Sequence, residues 1–482
     1  MIYRNFTKDI WIIGFTNVLV ALSGLLLLPI VTKNLGIQDY GIWAQISVTI
    51  GLITPLILMG LPGAIVRFLA AEKEKGKFQE GFYSVLILTF AISCTIGILI
   101  IIFSGTIGKL LHIPSLFVNF LSLIIIFECT NSVLMSFFQA VRETKKYAFF
   151  TLLGTFGEIG LVFAAITLGY GLWGAVPSLI IVRVVLFLIL FIVIFRKMGI
   201  KLPNFSKIKE YLSFGLPKQL SSVSYSIVTS SDRYLVASFL GITAVGYYSP
   251  AYTLGNTLNF LLYPLFFALP AVLSKSFDEL KIDEVKNYLK YSLKYFLMLG
   301  IPAVFGLSIL AKQMLTVLTT SDIASTSYTI VPFVALSILL YGITSIIGQI
   351  LAMVKKTKIS GVIWLIAALT NIALNFIFIP KLGIIGAAIT TLIAYALACI
   401  LITYYSFKEL RFDIDWKFIQ KSLLASVLMA FLVLSLNPDG FFKIIATIIF
   451  GSALYFILIL AFRGFEKKEI IFFKNILSQS FK

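Results

Sequence analysis

Charged residues, histidine and cysteine are scarce in this sequence. Only 12% of its 482 residues are charged, whereas ordinary soluble domains carry about 25%. His112 is the one histidine, which excludes a zinc site of the HExxH type because that site needs two histidines on one helix. Cys94, Cys129 and Cys399 are too far apart for a metal motif, and no GxxxxGK phosphate loop is present. We therefore expect no metal, no cofactor and no ATP hydrolysis through such a loop.

Long apolar runs dominate the sequence instead. Hydrophobic residues make up 59% of the chain, and runs of about 20 residues recur along it, each long enough to cross the hydrocarbon core of a bilayer. This pattern excludes a soluble enzyme, a nucleic-acid-binding module and a secreted disulfide scaffold. It predicts an all-α, multi-pass protein of the cytoplasmic membrane with fourteen transmembrane helices, because lipid offers unpaired backbone groups no partner. The predicted spans are 9–32, 41–66, 81–104, 117–140, 147–168, 173–195, 214–238, 246–272, 292–311, 325–353, 359–380, 383–407, 418–436 and 441–462.

Lysines and arginines in the loops predict the orientation of these spans. With the N-terminus in the cytoplasm, 31 of the 39 basic residues lie on inner segments, five on outer segments and three within spans. The bias alternates at every loop, so both termini are predicted to be cytoplasmic. We therefore interpret the net charge of +18 as a topology signal, and we expect no nucleic-acid partner.

The sequence also repeats itself at a shift of a little over two hundred residues. Four pairs of segments at helix ends and turns correspond in the same order: 35–41 with 240–246, 60–67 with 268–275, 141–145 with 354–358, and 171–175 with 383–387. Six spans separate the copies, so the copies have the same orientation, as in transporters whose two lobes alternate access to a central site. We predict a first lobe (1–210, spans 1–6), a second lobe (211–410, spans 7–12), and a C-terminal part (411–482) with spans 13 and 14 and an amphipathic tail at 466–482.

Several of these turns resemble those of a known family. The segments 35–43 (LGIQDYGIW), 60–67 (GLPGAIVR), 213–217 (SFGLP) and 245–249 (VGYYS) are similar to those of the polysaccharide repeat-unit flippases, Wzx-like members of the MOP superfamily often labelled polysaccharide biosynthesis proteins. The resemblance covers all fourteen spans. It implies two six-helix bundles around a central cavity, a lateral route for a lipid tail, and a cargo of oligosaccharide on a polyprenyl diphosphate carrier.

Basic residues inside the spans are the candidates for binding this cargo, because a charge at mid-bilayer costs at least ~2.5–3.5 kcal/mol and needs an explanation. They are Arg183, Arg233 and Lys218. Guanidinium and ammonium groups donate several hydrogen bonds to phosphate oxygens, so all three are predicted substrate-binding residues. Two alternatives stay open: Arg183 in an ion pair within the bundle, and Lys218 extended toward the headgroups.

Acidic residues inside the spans are candidates for coupling transport to an ion gradient. They are Glu158, Glu128 and Asp232. A buried carboxylate can take up H⁺ or bind a cation such as Na⁺, so either ion is a candidate partner. The alternative for the two glutamates is charge pairing with Arg183, and the alternative for Asp232 is an orientation toward a neighbouring helix.

The resemblance and the charges together favour one function over two others. The predicted function is a secondary transporter, not an enzyme, that flips the polyprenyl-diphosphate-linked oligosaccharide from the cytoplasmic to the outer leaflet by alternating access, for cell-surface polysaccharide or glycan assembly. An ion-coupled small-molecule exporter of the MATE type, usually with twelve spans, is the alternative. A membrane glycan polymerase or ligase is less favoured, because all the outer loops are short.

Overall fold

The computed structural model describes residues 2–465 and 469, with the side chains of 2–11, 217, 218, 220, 221, 264, 266–268 and 271 excepted. The chain within these ranges is helical, with three short 3-10 helices at Leu69–Ala71, Phe205–Lys207 and Thr257–Leu261. The predicted first lobe contains α1 (Ile2–Asn34), α2 (Ile37–Leu58), α3 (Leu61–Phe68), α4 (Lys75–Ile102), α5 (Ser104–Leu111), α6 (Ser115–Ala140), α7 (Thr144–Thr167) and α8 (Gly171–Met198).

The remaining helices belong to the predicted second lobe and C-terminal part. They are α9 (Ile208–Leu240), α10 (Ile242–Asn256), α11 (Tyr263–Asp278), α12 (Ile282–Ile309), α13 (Ala311–Leu318), α14 (Ser321–Ser327), α15 (Ile330–Ile347), α16 (Gln349–Met353), α17 (Thr357–Leu382), α18 (Ile384–Glu409), α19 (Trp416–Leu436) and α20 (Phe441–Ala461). Of the predicted tail at 466–482, only Glu469 is described. Its buried carboxylate accepts hydrogen bonds from Lys294 Nζ at 2.8 Å and from Tyr295 Oη at 3.0 Å.

Twelve helices within the described ranges are long and apolar enough to cross a membrane, counting α15 and α16 as one. The chain is therefore an all-α, multi-pass membrane protein, as predicted. The predicted seventh and eighth spans correspond to α9 and to α10 with α11. Serines, tyrosines and charged residues lower the hydropathy of α9, and the 3-10 turn at Thr257–Leu261 divides the eighth into helices of 15 and 16 residues.

The predicted repeat corresponds to a reciprocal contact between the N-terminal ends of α2 and α10, which are their predicted outer ends, where the two predicted lobes pack together. A Cβ atom on Gly41 would lie 2.2 Å from the carbonyl oxygen of Ile242, and one on Gly246 would lie 2.3 Å from that of Ile37. The two glycines occupy equivalent places in the repeat, so the contact is reciprocal. Only glycine permits such a close approach of two backbones, in the way that small residues permit close packing of membrane helices.

The lobes also meet at the inner end of α2. The helix ends at Leu58, Met59 after it has a left-handed conformation (φ 47°), and Gly60 follows with φ +76°. A Cβ on Gly60 would lie 2.6 Å from the carbonyl oxygen of Gly215 in α9. Nearby, Gln219 Nε2 of α9 donates to the carbonyl oxygen of Pro55 at 3.0 Å. Between these two contacts the lobes leave a space beside the N-terminal half of α2.

Candidate functional site

The space between the lobes is a central cavity of about 230 Å³, bounded by α1, α2, α9 and α10. Tyr40, Trp43 and Ser47 line it from the first lobe, and Arg233 and Ser249 from the second. Arg233 is the one charged residue among the described side chains that line this cavity. An anionic group entering between the lobes would therefore meet a single fixed guanidinium.

Arg233 is held in place by its own helix and by two rings of α10. The side chain is 6% exposed, and Nη1 donates to the carbonyl oxygen of Thr229 at 2.7 Å. Its Cζ atom lies 4.1 Å from the ring centroid of Tyr252 and 5.6 Å from that of Tyr248. A guanidinium over an aromatic face is stabilised electrostatically while its other N–H groups can still donate. The arrangement therefore presents to the central cavity a pre-positioned hydrogen-bond donor for an anion.

The next residue back along α9, Asp232, belongs to a buried polar network of the second lobe. Its side chain is fully buried, and Oδ2 accepts hydrogen bonds from Tyr248 Oη and from Thr391 Oγ1, the latter at 3.1 Å. No described residue hydrogen-bonds to Oδ1. Asp232 is therefore oriented toward α10 and α18, and one of its carboxylate oxygens has no hydrogen-bond partner among the described residues.

Two asparagines of α17 extend this network, and the sequence reasoning missed them. Asn371 Oδ1 accepts from Ser231 Oγ at 2.7 Å and from Asn375 Nδ2 at 3.2 Å, while Asn371 Nδ2 donates to Thr391 Oγ1 at 3.3 Å. Both asparagines are fully buried. The available signal was a pair of amides one helical turn apart inside an apolar span, where polar side chains are rare.

The charged residues of the first lobe come together as an ion-paired triad. Arg183 Nε lies 2.7 Å from Glu128 Oε2, and Arg183 Nη1 lies 3.1 Å from Glu158 Oε2. Helices α6, α7 and α8 each contribute one member. The geometry is that of the charge-pairing alternative for all three residues. Two carboxylates around one guanidinium leave a negative local charge, which disfavours a diphosphate, so Arg183 as a substrate ligand stays a prediction without support from its surroundings.

A first-lobe cavity of about 340 Å³ lies beside this triad. It extends from Gln139 and Tyr147, at the predicted cytoplasmic ends of α6 and α7, to Glu128 and Glu158 further along the same helices. The distance from Gln139 to Glu128 along α6 is about 16 Å. The first-lobe cavity is thus a polar recess within the lobe, separate from the residues that line the central cavity.

The side chain of the third predicted cation, Lys218, lies outside the described residues. Its backbone is in α9, one residue before Gln219, which bonds to α2 at the inner contact between the lobes. The assignment of Lys218 as a substrate-binding residue stays a prediction.

An apolar groove of about 610 Å³ lies on the other side of α1. Leu25 of α1, Leu258 of the 3-10 turn and Pro302 of α12 line it, together with Val433 of α19 and Tyr455 of α20. The two helices without a counterpart in the repeat therefore form one wall of this groove. A wall of this composition suits a hydrocarbon chain.

Sequence profiles of two families match the chain. The profile described as "Polysaccharide biosynthesis protein" matches residues 6–277, and the profile described as "MatE" matches residues 217–377. The first match extends over more than half of the chain and includes α1–α10 and most of α11.

Similar proteins extend over nearly the whole chain. A probable low-salt glycan biosynthesis flippase of Haloferax volcanii is 21% identical, over 92% of this chain and 93% of that protein. Stage V sporulation protein B of Bacillus subtilis is 24% identical, over 98% of each chain. Among solved structures, the lipid II flippase MurJ in an inward closed conformation has a TM-score of 0.72 at 20% identity, over 96% of this chain and 99% of that chain. An inward-facing MATE-family multidrug transporter has a TM-score of 0.69 at 18% identity, over 81% and 94%.

Proposed function

Because the chain belongs to the polysaccharide biosynthesis protein family of the MOP superfamily, we propose that it flips a lipid-linked oligosaccharide across the membrane. A protein of this family is a multi-pass transporter rather than an enzyme. The proposed cargo is an oligosaccharide on a polyprenyl diphosphate, which moves from the cytoplasmic to the outer leaflet by alternating access. The product would serve the assembly of cell-surface polysaccharide or glycan.

The observation that carries this proposal is Arg233 in the central cavity. A diphosphate that passes between the lobes must leave water, and a guanidinium repays part of that cost through charge-assisted, bidentate hydrogen bonds. Serine and tyrosine side chains around the cavity provide hydrogen-bonding groups of the kind that sugar hydroxyls need. The cavity thus combines one cationic group for the diphosphate with polar groups for the sugars.

The apolar groove supports a lipid-linked cargo over a small soluble one. It lies between α1 and the helices α19 and α20, so a polyprenyl chain could remain in an apolar environment while the diphosphate occupies the central cavity. The MATE transporter structure covers 81% of this chain, whereas the MurJ structure covers 96%. We propose that α9, and α10 with α11, also cross the membrane, which gives fourteen spans with both termini in the cytoplasm.

Asp232 is the proposed site of the coupling ion. Its Oδ1 accepts no hydrogen bond from a described residue, and its Oδ2 accepts one from Thr391 Oγ1, which in turn accepts one from Asn371 Nδ2. A carboxylate beside hydroxyl and amide groups provides hard oxygen ligands with one negative charge. Such a set fits Na⁺, and the same carboxylate fits H⁺. Since Asp232 precedes Arg233 in α9, occupancy of the carboxylate would alter the field at the neighbouring guanidinium, which links the ion to the cargo.

The MatE profile match favours the second candidate, an ion-coupled exporter of small molecules. Both candidates share the fold and the coupling site, so only the cargo separates them.

A flipping assay in proteoliposomes tests the proposal. A polyprenyl-diphosphate-linked disaccharide with a fluorescent nitrobenzoxadiazole label is placed in both leaflets, and dithionite quenches the label that is accessible from outside. We expect quenching beyond the outer-leaflet half with protein present, and none beyond it in empty liposomes. Labelled phosphatidylethanolamine must stay half protected, which excludes unselective lipid scrambling. Ion-driven ethidium transport without flipping of the polyprenyl substrate would favour the exporter and overturn the proposal.

A further inference from the structure

The first-lobe cavity has two carboxylates whose orientation is fixed and which a ligand can still reach. Its volume of about 340 Å³ is within the range of about 300–1,000 Å³ that small-molecule sites occupy. Arg183 engages Oε2 of Glu128 and Oε2 of Glu158, and the side chains of these glutamates are 37% and 28% exposed. The Oε1 atoms are therefore available to hydroxyl groups, which donate strong hydrogen bonds to a carboxylate.

An unpartnered amide oxygen lies in the same cavity. Asn131 follows Glu128 by three residues, so the two side chains share one face of α6. It is 5% exposed and lines the first-lobe cavity, and its Nδ2 donates to the carbonyl oxygen of Arg183 at 2.9 Å. Its Oδ1 has no hydrogen-bond partner among the described residues. Ser132 and Thr155, both partly exposed, add hydroxyl groups to the lining, so a ligand with several hydroxyl groups can satisfy these atoms together.

The charge of this cavity restricts the chemistry of its ligand. Among the described side chains that line it, two carboxylates and the Arg183 guanidinium leave one negative charge in excess. This excess repels a diphosphate or a uronic acid. An organic cation without hydroxyl groups would match the charge, but it would leave Asn131 Oδ1 and the lining hydroxyl groups unpaired. A neutral ligand rich in hydroxyl groups fits the cavity better than either ion.

At the equivalent positions of the predicted repeat, the second lobe has aromatic rings in place of charges. The shift of 213 residues in the third pair of matched segments carries Glu128 onto Tyr341. The shift of 212 residues in the fourth pair carries Arg183 onto Tyr395. The ring centroids of Tyr341 and Tyr395 are 5.9 Å apart, and the ring of Trp364 packs against both. The polar lining is therefore particular to the first lobe and does not follow from the repeat.

We propose that the first-lobe cavity binds one neutral sugar ring of the lipid-linked oligosaccharide, an inference that rests on the proposed function. Hydroxyl groups of the sugar donate to Glu128 and Glu158, and one of its hydroxyl or amide groups donates to Asn131 Oδ1. The apolar C–H face of the sugar packs on the ring of Tyr147, which also lines the cavity. Arg183 holds both carboxylates in place. The protein would then select its cargo by the sugar in one lobe and by the diphosphate between the lobes.

Protection of an introduced cysteine tests the proposal without any lipid-linked substrate. Met135→Cys places a thiol in the lining of the cavity and keeps all its polar groups. The purified full chain in lipid nanodiscs is alkylated with N-ethylmaleimide, and mass spectrometry of the modified peptide separates this thiol from the native cysteines. We expect a neutral methyl glycoside of glucose, galactose, mannose or N-acetylglucosamine to slow the alkylation several-fold. Methyl glucuronide should need about tenfold more for the same protection, because the local charge is negative.

Ser206→Cys is the matched control, because Ser206 is exposed and does not line the cavity. Its alkylation should proceed at the same rate with and without glycoside. The proposal is overturned if none of the neutral glycosides protects position 135, or if ethidium protects it and they do not.

A second measurement identifies the source of the sugar. Asn131→Ala keeps all three charges and removes the unpartnered amide oxygen, so the glycoside concentration for half protection should rise by about 2- to 12-fold. In the dithionite assay, with the label on the polyprenyl chain, its apparent KM should rise by about that factor for the disaccharide carrier and stay unchanged for bare polyprenyl diphosphate. If Asn131→Ala aggregates, Thr155→Val removes one hydroxyl group of the same cavity and takes its place.

The two measurements separate the sugar site from the proposed function. An equal rise in KM for the two carriers would overturn the assignment to a sugar. Glycoside protection with unchanged flipping by Asn131→Ala would overturn the assignment to the cargo, because the cavity would then take a free sugar. If no carrier is flipped even by the unmodified protein, the proposed function fails, and protection of position 135 still decides whether the cavity binds a sugar.

Discussion

The substitution Arg233→Lys tests the proposed diphosphate site while it keeps a positive charge beside Asp232. In the structure, Arg233 donates to Thr229 at 2.7 Å and lies with Cζ 4.1 Å from the ring centroid of Tyr252. Lysine retains the charge but lacks the planar face and the fork of N–H donors. The change therefore removes bidentate binding of the diphosphate and the stacking that orients the group, without altering the net charge of the central cavity.

The expected loss follows from the hydrogen bonds that lysine cannot replace. One hydrogen bond to a charged group contributes about 1.5–3 kcal/mol, which corresponds to a change in affinity of about 10- to 150-fold. We expect the apparent KM for the lipid-linked substrate to rise by about that factor, with the yield of the purified protein unchanged. Arg233→Gln, which also removes the charge, should show no measurable flipping.

The dithionite assay, run over a series of substrate densities, measures this effect. Arg67→Lys is the matched control, because Arg67 is an exposed arginine at the inner end of α3 and does not line the central cavity. It should behave as the unmodified protein does. Unchanged kinetics for both Arg233→Lys and Arg233→Gln would refute the assignment of this residue to the diphosphate.

Three further substitutions test the lobe contact, the apolar groove and the coupling site. Gly246→Ala places a Cβ 2.3 Å from a carbonyl oxygen, so the contact between α2 and α10 should lose about 1–3 kcal/mol and spin-label distances across the N-terminal ends of these helices should increase. Gly51 is a helical glycine with no neighbour within 4 Å, so Gly51→Ala should leave those distances unchanged. Equal distances in the two variants would contradict the role of the glycine contact. Ser452→Trp should fill the apolar groove and slow the flipping of long-chain carriers, whereas Ala453→Trp, exposed but outside the groove, should not; equal rates would remove the groove from the lipid path. Asp232→Asn should abolish the response of flipping to Na⁺ or H⁺ gradients, and a retained response would exclude Asp232 as the coupling site.

The pairing of Arg183 with Glu128 and Glu158 illustrates how far the sequence reasoning could reach. It identified all three residues from their charge inside apolar spans, and it named the ion pair as one of two alternatives. The choice between them depends on how α6, α7 and α8 are rotated about their axes. That rotation is weakly encoded in the sequence, because helices surrounded by lipid and by other helices are apolar on nearly every side.

In the second lobe, the sequence reasoning identified the charged residue of the polar network but not its neutral residues. Asp232 was identified by its charge, but Asn371 and Asn375 were passed over because a neutral amide costs less in a membrane than a charge does. Their importance appears only when α9, α10, α17 and α18 are packed together. Separated by more than a hundred residues along the chain, Asp232 and Asn371 share Thr391 as a hydrogen-bond partner.

The sequence by itself determined the class of protein, and it predicted the orientation of its helices and the internal duplication. Each of these follows from local composition and order: apolar length sets the spans, basic residues in loops set the direction, and matching turns reveal the repeat. The tertiary structure alone decided which intramembrane charge is available to a cargo. Arg183 is engaged by two carboxylates within one lobe, whereas Arg233 lies over two aromatic rings at the cavity between the lobes. The physical reason is that a charge in the membrane is satisfied by whatever packing places beside it, and helix packing joins residues that are far apart in sequence.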